Sequence, residues 1–329
     1  MSLSGLPFDD IRDLVNHLAE PDERAIGLAI QRNKELEKQF GSLGKQGELM
    51  HWLAGYSGKS PVVLRPMLAL FAGTHKIAER ITQLSTQPTL EIVTRLSAGG
   101  SAANQVCAAG DIGLKVFDLA LQYPVADIGT NDALDEKGSA ATIGFGMEAI
   151  AGGVDVLGLA AFGQGSEVAN AALLSLCTQR DAEAFLMHLP NDIKEELLPL
   201  VASAVARNES AKSDGLELIR RLGGREHSAI AGAILAARTN HIPVVLEGWT
   251  SLAVVCLLQK LEKNTCDHCC FASVNEDSRK TVYDEVVAGT SLLSVLTGFG
   301  ITEDGANAAQ ALGLLKSAAR LHTDSVLES

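Results

Sequence analysis

Four short stretches of the sequence carry residue types able to do chemistry. "TEDGANAA" (residues 302–309) sets a hydroxyl, Thr302, and two carboxylates, Glu303 and Asp304, just ahead of an alanine-rich segment. A carboxylate there can take a proton from a substrate, although acidic residues at a helix start also serve simply to offset the helix dipole. "GQGSEV" (residues 163–168) follows an apolar run and opens another helical segment. Gly163, Gly165 and Ser166 make it a candidate phosphate cradle, because free backbone N–H groups point outward at a helix N-terminus. Glu167 puts a negative charge in the same cradle. In "THK", His75 follows a candidate strand and is a candidate acid, base or substrate donor, or a purely structural ring. "CDHCC" (residues 266–270) groups thiols and an imidazole, but a structural zinc site needs four convergent ligands, usually as two separated pairs, and no second pair exists. Buried thiols at a strand start account for it, and no metal is expected.

"SAGGSAANQ" (residues 97–105) adds small residues, Gly99 and Gly100 among them, that let a backbone approach either a ligand or a neighbouring helix. Walker loops, the G-x-G-x-x-G fingerprint, a nucleophile elbow and H-E-x-x-H are all missing from the sequence.

These residues need elements to position them. Short apolar runs recur at Met67–Gly73, Leu114–Leu119, Val154–Ala161 and Ile242–Leu246, with Cys270–Val274 a weaker fifth. Each leads into a turn and then an alanine-rich helical stretch, so the chain reads as βαβ units: an α/β fold with a mostly parallel sheet. Continuous apolar runs without alternation fit strands covered on both faces. The carboxyl ends of such strands form the ligand crevice, and they gather Thr74 to Lys76, Asp118, Gly163 to Glu167 and Glu247 to Thr250. "PDERAIGLAIQRNKELEKQF" and "GELMHWLAGY" read as N-terminal helices, "REHSAIAGAILAAR" as a packed helix, and "GANAAQALGLLKSAARL" as a C-terminal one. The expected division is residues 1–60 as N-terminal helices of a small domain, 61–295 as the α/β substrate-binding domain, and 296–329 as a helix returning to the small domain.

Composition narrows the function further. A formal net charge of −13 over 329 residues disfavours nucleic-acid and anionic-lipid partners, so an anionic substrate must be held by local donors. No run of about 18 apolar residues or signal pattern is present, and a cytoplasmic protein with reduced cysteines is expected.

In their order these motifs give the chain a likeness over essentially its whole length. It resembles the nicotinate-nucleotide–dimethylbenzimidazole phosphoribosyltransferase family. The segments that carry the likeness are "GSLG", "LFAGTH", "AGGSAANQVC", "LKVFDLALQYP", "FGMEAIAGGVDVL", "RRLGGREHSAIAGAILAAR" and "IPVVLEGW". The resemblance implies a Rossmann-like parallel sheet, a small helical domain from both termini, and a homodimer. It implies a reaction in which a nitrogen of 5,6-dimethylbenzimidazole attacks the anomeric carbon of nicotinate mononucleotide and nicotinate leaves. The product is α-ribazole phosphate, for the lower ligand of cobalamin, and no cofactor is required. Asp304 or Glu303 stands for the family's C-terminal general base. His75, Gly99, Gly100, Gly163, Gly165, Ser166 and Glu247 stand at substrate-binding positions.

The chain departs from the family pattern at polar positions. Asp304 occupies the place of a glutamate, with Glu303 where a glycine belongs. The family's G-[MI]-[AG]-N-T-T turn reads Gly163 to Val168 here, with Glu167 replacing a hydroxyl, and Ala161 replaces the glutamate before it. Lys76 follows His75 where a glycine is usual, and Glu247 replaces an aspartate. Two readings follow: a competent transferase, or a non-catalytic homologue that still binds ligand.

Overall fold

The apolar runs become the central layer of a three-layer α/β/α architecture. The structure is a computed structural model and describes residues 5–82, 88–275, 281–300, 302 and 304–326. Its six strands are β1 (Pro66–Thr74), β2 (Gly113–Asp118), β3 (Val156–Gln164), β4 (Val244–Leu246), β5 (Cys269–Val274) and β6 (Leu293–Thr297). They pair in the order β2-β1-β3-β4-β5-β6, and every pairing is parallel.

Alternate residues of each strand enter different cores, which explains runs without polar alternation. Ala69, Phe71, Leu157, Leu159, Val244 and Phe271 face one core. It is covered by α1 (Pro7–Asn16), α6 (Glu136–Gly146), α7 (Ser166–Thr178), α8 (Asn191–Asn208), α9 (Gly215–Leu222), α10 (Arg225–Thr239), α11 (Gly248–Leu261) and α12 (Val282–Gly289). Leu68, Leu70, Val156, Ala160, Val245 and Cys270 face the other core. There they meet α3 (Lys45–Ser57), α4 (Thr89–Ser97), α5 (Ala102–Gly110) and α13 (Ala306–Asp324).

α2 (Glu23–Phe40) lies against α3 through Ala25, Ala29 and Ala54. Asp22 caps it by accepting from the Ala25 N–H, and Gly41 ends it. Arg32 on α2 donates to the carbonyl of His322 at 3.0 Å, tying α2 to the end of α13. α1 lies on the opposite face of the sheet from α3: its Phe8, Ile11 and Val15 join the first core.

The sequence expectation names five strands, and all five form, with β3 extending three residues beyond Ala161 and β4 starting two residues after Ile242. β6 has no counterpart in that expectation. It is a five-residue edge strand with only Val295 and Leu296 buried, so its apolar signal is short.

The strand order creates one topological switch point. From β1 the chain crosses to β2 on one side and then to β3 on the other, so the segments after β1 and β3 diverge and leave a crevice between them. Among the described residues no helix is long and apolar enough to cross a membrane.

Candidate active site

The switch point is floored by a buried polar chain. β1 ends at Thr74, and His75 follows it, tied into the sheet by its N–H to the Gln164 carbonyl at 3.3 Å. The His75 ring, 2% exposed, donates from Nε2 to Oε1 of Glu226 at 2.5 Å. Glu226 stands in the first turn of α10 and is fully buried. Burial alone would raise its carboxyl, but the charge and hydrogen bond of His75 oppose that, and the carboxyl is held well below the usual glutamate range. His227 Nδ1 accepts from the Gly224 N–H at 2.9 Å, so its Nε2 donates to Oδ1 of Asn170, also at 2.9 Å. Asn170 in turn donates to Thr250 Oγ1 at 3.1 Å, linking α7 to α11.

Two glycines make room for this carboxylate. A Cβ on Gly73 would lie 1.9 Å from Glu226 Oε2, and one on Gly224 would lie 2.3 Å from it. His75, Glu226 and His227 are also the described side chains whose ligand atoms come within 4.8 Å of one another, the reach of a metal ion. The cluster fits a hydrogen-bonded unit better. His75 touches Glu226 directly, His227 Nδ1 is spent on a backbone N–H, and glycine backbone closes the remaining side.

Above this floor runs the turn 163–167. Gly165 takes φ +91°, a left-handed value suited to glycine, and α7 starts at the next residue. Ser166 is therefore the first helical residue, and Gly165 is the cap. Glu167 does what its sequence position suggested. Its carboxylate folds back and accepts from the Gly165 N–H at 3.1 Å, an internal anion at the helix mouth. Burial pushes its carboxyl above the usual range, and Glu226 adds to this, while backbone N–H groups and His75 oppose it.

A second constellation joins the end of β4 to the head of α13. Glu247, 3% exposed, accepts from Thr302 Oγ1 at 2.5 Å and from the Gly305 N–H at 3.0 Å. Its second oxygen accepts from the Ala308 N–H at 2.6 Å. Glu247 thus satisfies the free N–H groups of α13, and burial raises its carboxyl. Asp304 lies half-buried beside it and accepts from the Ala306 N–H at 3.1 Å through one oxygen. Glu303, the other expected base, lies outside the described residues.

Next to Thr302 opens an apolar cavity of about 450 Å³. Ala184, Met187, His188, Trp249, Thr281, Val282 and Thr302 line it. The His188 ring stacks on the Trp249 indole, with centroids 5.0 Å apart and planes 21° apart, and Tyr283 meets the indole edge-on. Burial lowers the pKa of His188, which favours a neutral, stacking ring. The site therefore offers a flat apolar slot, an anion-type helix mouth and a carboxylate within one sheet edge.

The fold brings His75, Gly163, Gly165 and Ser166 together at the switch point, and Glu247 with Asp304 at the head of α13. Gly99 and Gly100 lie in the exposed turn between α4 and α5. Cys266, Cys269 and Cys270 are buried at the opposite edge, where β5 begins, and burial pushes the Cys269 and Cys270 thiols up. Sequence reasoning missed Glu226, His227, Asn170 and His188, and placed Trp249 at the strand ends without giving it a role. The signal for Glu226 was present in "GGRE", a charge between a glycine pair and an alanine-rich buried helix.

Comparison with known proteins bears on this geometry. A family model described as "Phosphoribosyltransferase" matches residues 18–328. A nicotinate-nucleotide–dimethylbenzimidazole phosphoribosyltransferase of Agrobacterium fabrum is 42% identical over 327 residues, which cover 98% of this chain and 94% of the relative. Its namesake in Allorhizobium ampelinum is also 42% identical, over 98% of this chain and 95% of the relative. The crystal structure of the enzyme of that name from Thermus thermophilus superposes with a TM-score of 0.81 at 24% identity, covering 92% of this chain and 96% of that one. That last likeness is one of fold.

Proposed function

This chain belongs to the nicotinate-nucleotide–dimethylbenzimidazole phosphoribosyltransferase family, and on that premise we propose how its sheet edge carries out the family's transfer. The protein moves 5-phosphoribose from nicotinate mononucleotide to 5,6-dimethylbenzimidazole, giving α-ribazole phosphate and nicotinate, in the synthesis of the cobalamin lower ligand. The observation that carries the placement is the apolar slot beside Thr302, two residues before Asp304. A flat bicyclic base is held there by stacking against Trp249 and His188. One ring nitrogen attacks the anomeric carbon, and the bond to the nicotinate nitrogen breaks with its electron pair going to the departing pyridine. Asp304, as general base, accepts the proton from the other ring nitrogen. The leaving group starts cationic, so most of the catalytic work is positioning and proton acceptance.

The comparisons lend no support to a non-catalytic homologue, and turnover decides the matter. Purified protein given both substrates is expected to release nicotinate, and Asp304→Ala to slow release by ~10²–10⁴-fold. Absence of turnover above a Glu303→Ala, Asp304→Ala double variant would refute the assignment.

We further propose a homodimer. Its support is the outer strand β2, half-exposed along Leu114, Val116 and Phe117, with the exposed Phe145 ring against Phe117. The six cysteines are unpaired, which suits a reducing, cytoplasmic setting.

A further inference from the structure

The mouth of α7 faces the switch-point crevice, the place where helix N-termini hold oxyanions in sheets of this kind. That position already holds one, because Glu167 accepts from the Gly165 N–H. A second, independent feature lies beneath the same turn. His75 packs there, its Cβ 3.0 Å from where a Gly165 side chain would start, and its buried Nδ1 has no hydrogen-bond partner among the described residues. The locality is thus equipped for one anion, with an N–H donor above and an unspent imidazole nitrogen below.

Resting on the transfer reaction assigned above, we propose that Glu167 is a specificity-determining residue of the donor subsite. Its carboxylate competes with the donor's 5-phosphate for the head of α7, and this weakens selection of phosphorylated over unphosphorylated ribosyl donors. Carboxylate and phosphate are both oxyanions, and a single turn of N–H donors accommodates one of them. To admit the phosphate, Glu167 has to give up Gly165 and swing toward solvent. Glu226, also negative, faces Glu167 from α10 and makes a second added anion less welcome still. His75 at the end of β1 is the opposing group.

The test compares wild type with Glu167→Gln, which removes the charge at constant size, and Glu167→Thr, which supplies a short hydroxyl. Thermal melting first establishes that each is folded; if Glu167→Gln melts early, Glu167→Thr carries the comparison. At saturating dimethylbenzimidazole, kcat/KM is measured for nicotinate mononucleotide and for nicotinate riboside. The ratio of the two is expected to rise at least ~10-fold in the variants, since a like charge within a few ångströms is removed. An unchanged ratio with turnover intact overturns the proposal. If no form of the protein releases nicotinate from either donor, the reaction assignment fails, and calorimetric titration with inorganic phosphate decides the present inference alone. Binding to the variant that is ~10-fold tighter than to wild type supports competition by Glu167, and equal binding overturns it.

Discussion

Glu226 is the residue on which the floor of the site depends. It is a fully buried carboxylate whose direct charged partner is His75, and removing one member of such a pair leaves the other uncompensated. Glu226→Gln is expected to lower unfolding stability by about 3 kcal/mol, read from urea denaturation at neutral pH. The acid response gives a second readout. Because its folded pKa is depressed, Glu226 contributes stability that is present above the ordinary glutamate value of 4.5 and is lost as pH falls from there toward the folded value. Wild type should therefore lose more stability than Glu226→Gln between about pH 5 and pH 3. Glu247, whose carboxyl is raised by burial, acts in the opposite sense in both proteins and cancels from the comparison, whereas Glu167, raised by burial and also by Glu226, is raised less in the variant.

At the scale of elements, Glu247 does for α13 what a capping side chain does for an isolated helix, but across the fold. It sits at the end of β4 and accepts from two N–H groups of the helix head and from Thr302. Glu247→Gln would turn an N–H donor toward the Ala308 N–H or toward Thr302. The expected cost is about 1–3 kcal/mol in stability, seen as an earlier thermal transition, together with slower nicotinate release as Asp304 loses its setting. This constellation shows where sequence reading succeeds and where it stops. The central strands were legible because they bury both faces, and the polar strand ends followed from them. Asp304 and Glu167 were legible as acids beside helix starts. That Glu247 would be consumed internally was not legible, because the partners that satisfy it lie 55 to 61 residues away in the chain. The same distance problem hid the His75–Glu226 pair, 151 residues apart. His188 was missed, and Trp249 given no role, for a related reason: aromatic residues in apolar segments look like core until a cavity is seen beside them.

For the whole molecule, the parallel sheet order places the switch point between β1 and β3 and leaves β2 as an outer strand, with no strand paired to its far side among the described residues. Burial of that flank in a partner copy predicts a particle of twice the chain mass in light scattering. Phe145→Glu should yield monomer, since a charge in the centre of an apolar contact costs more than a contact of modest size supplies. A protein that stays monomeric in the wild-type form would remove the basis for this assignment. The glycine cradle has a consequence of another kind, for how such a sequence can drift. Gly73 and Gly224 lie 151 residues apart, yet each is barred from gaining a side chain by the same Glu226 oxygen. Neither glycine can change first, because the newcomer would collide with the carboxylate. Glu226 cannot change first without stranding His75. The trio can be exchanged only by passing through a poorly folded intermediate or by several substitutions arriving together. Polar positions nearer the crevice mouth, such as Glu167, have no such interlock and are free to vary one at a time, so innovation in this chain is channelled toward its rim and away from its floor.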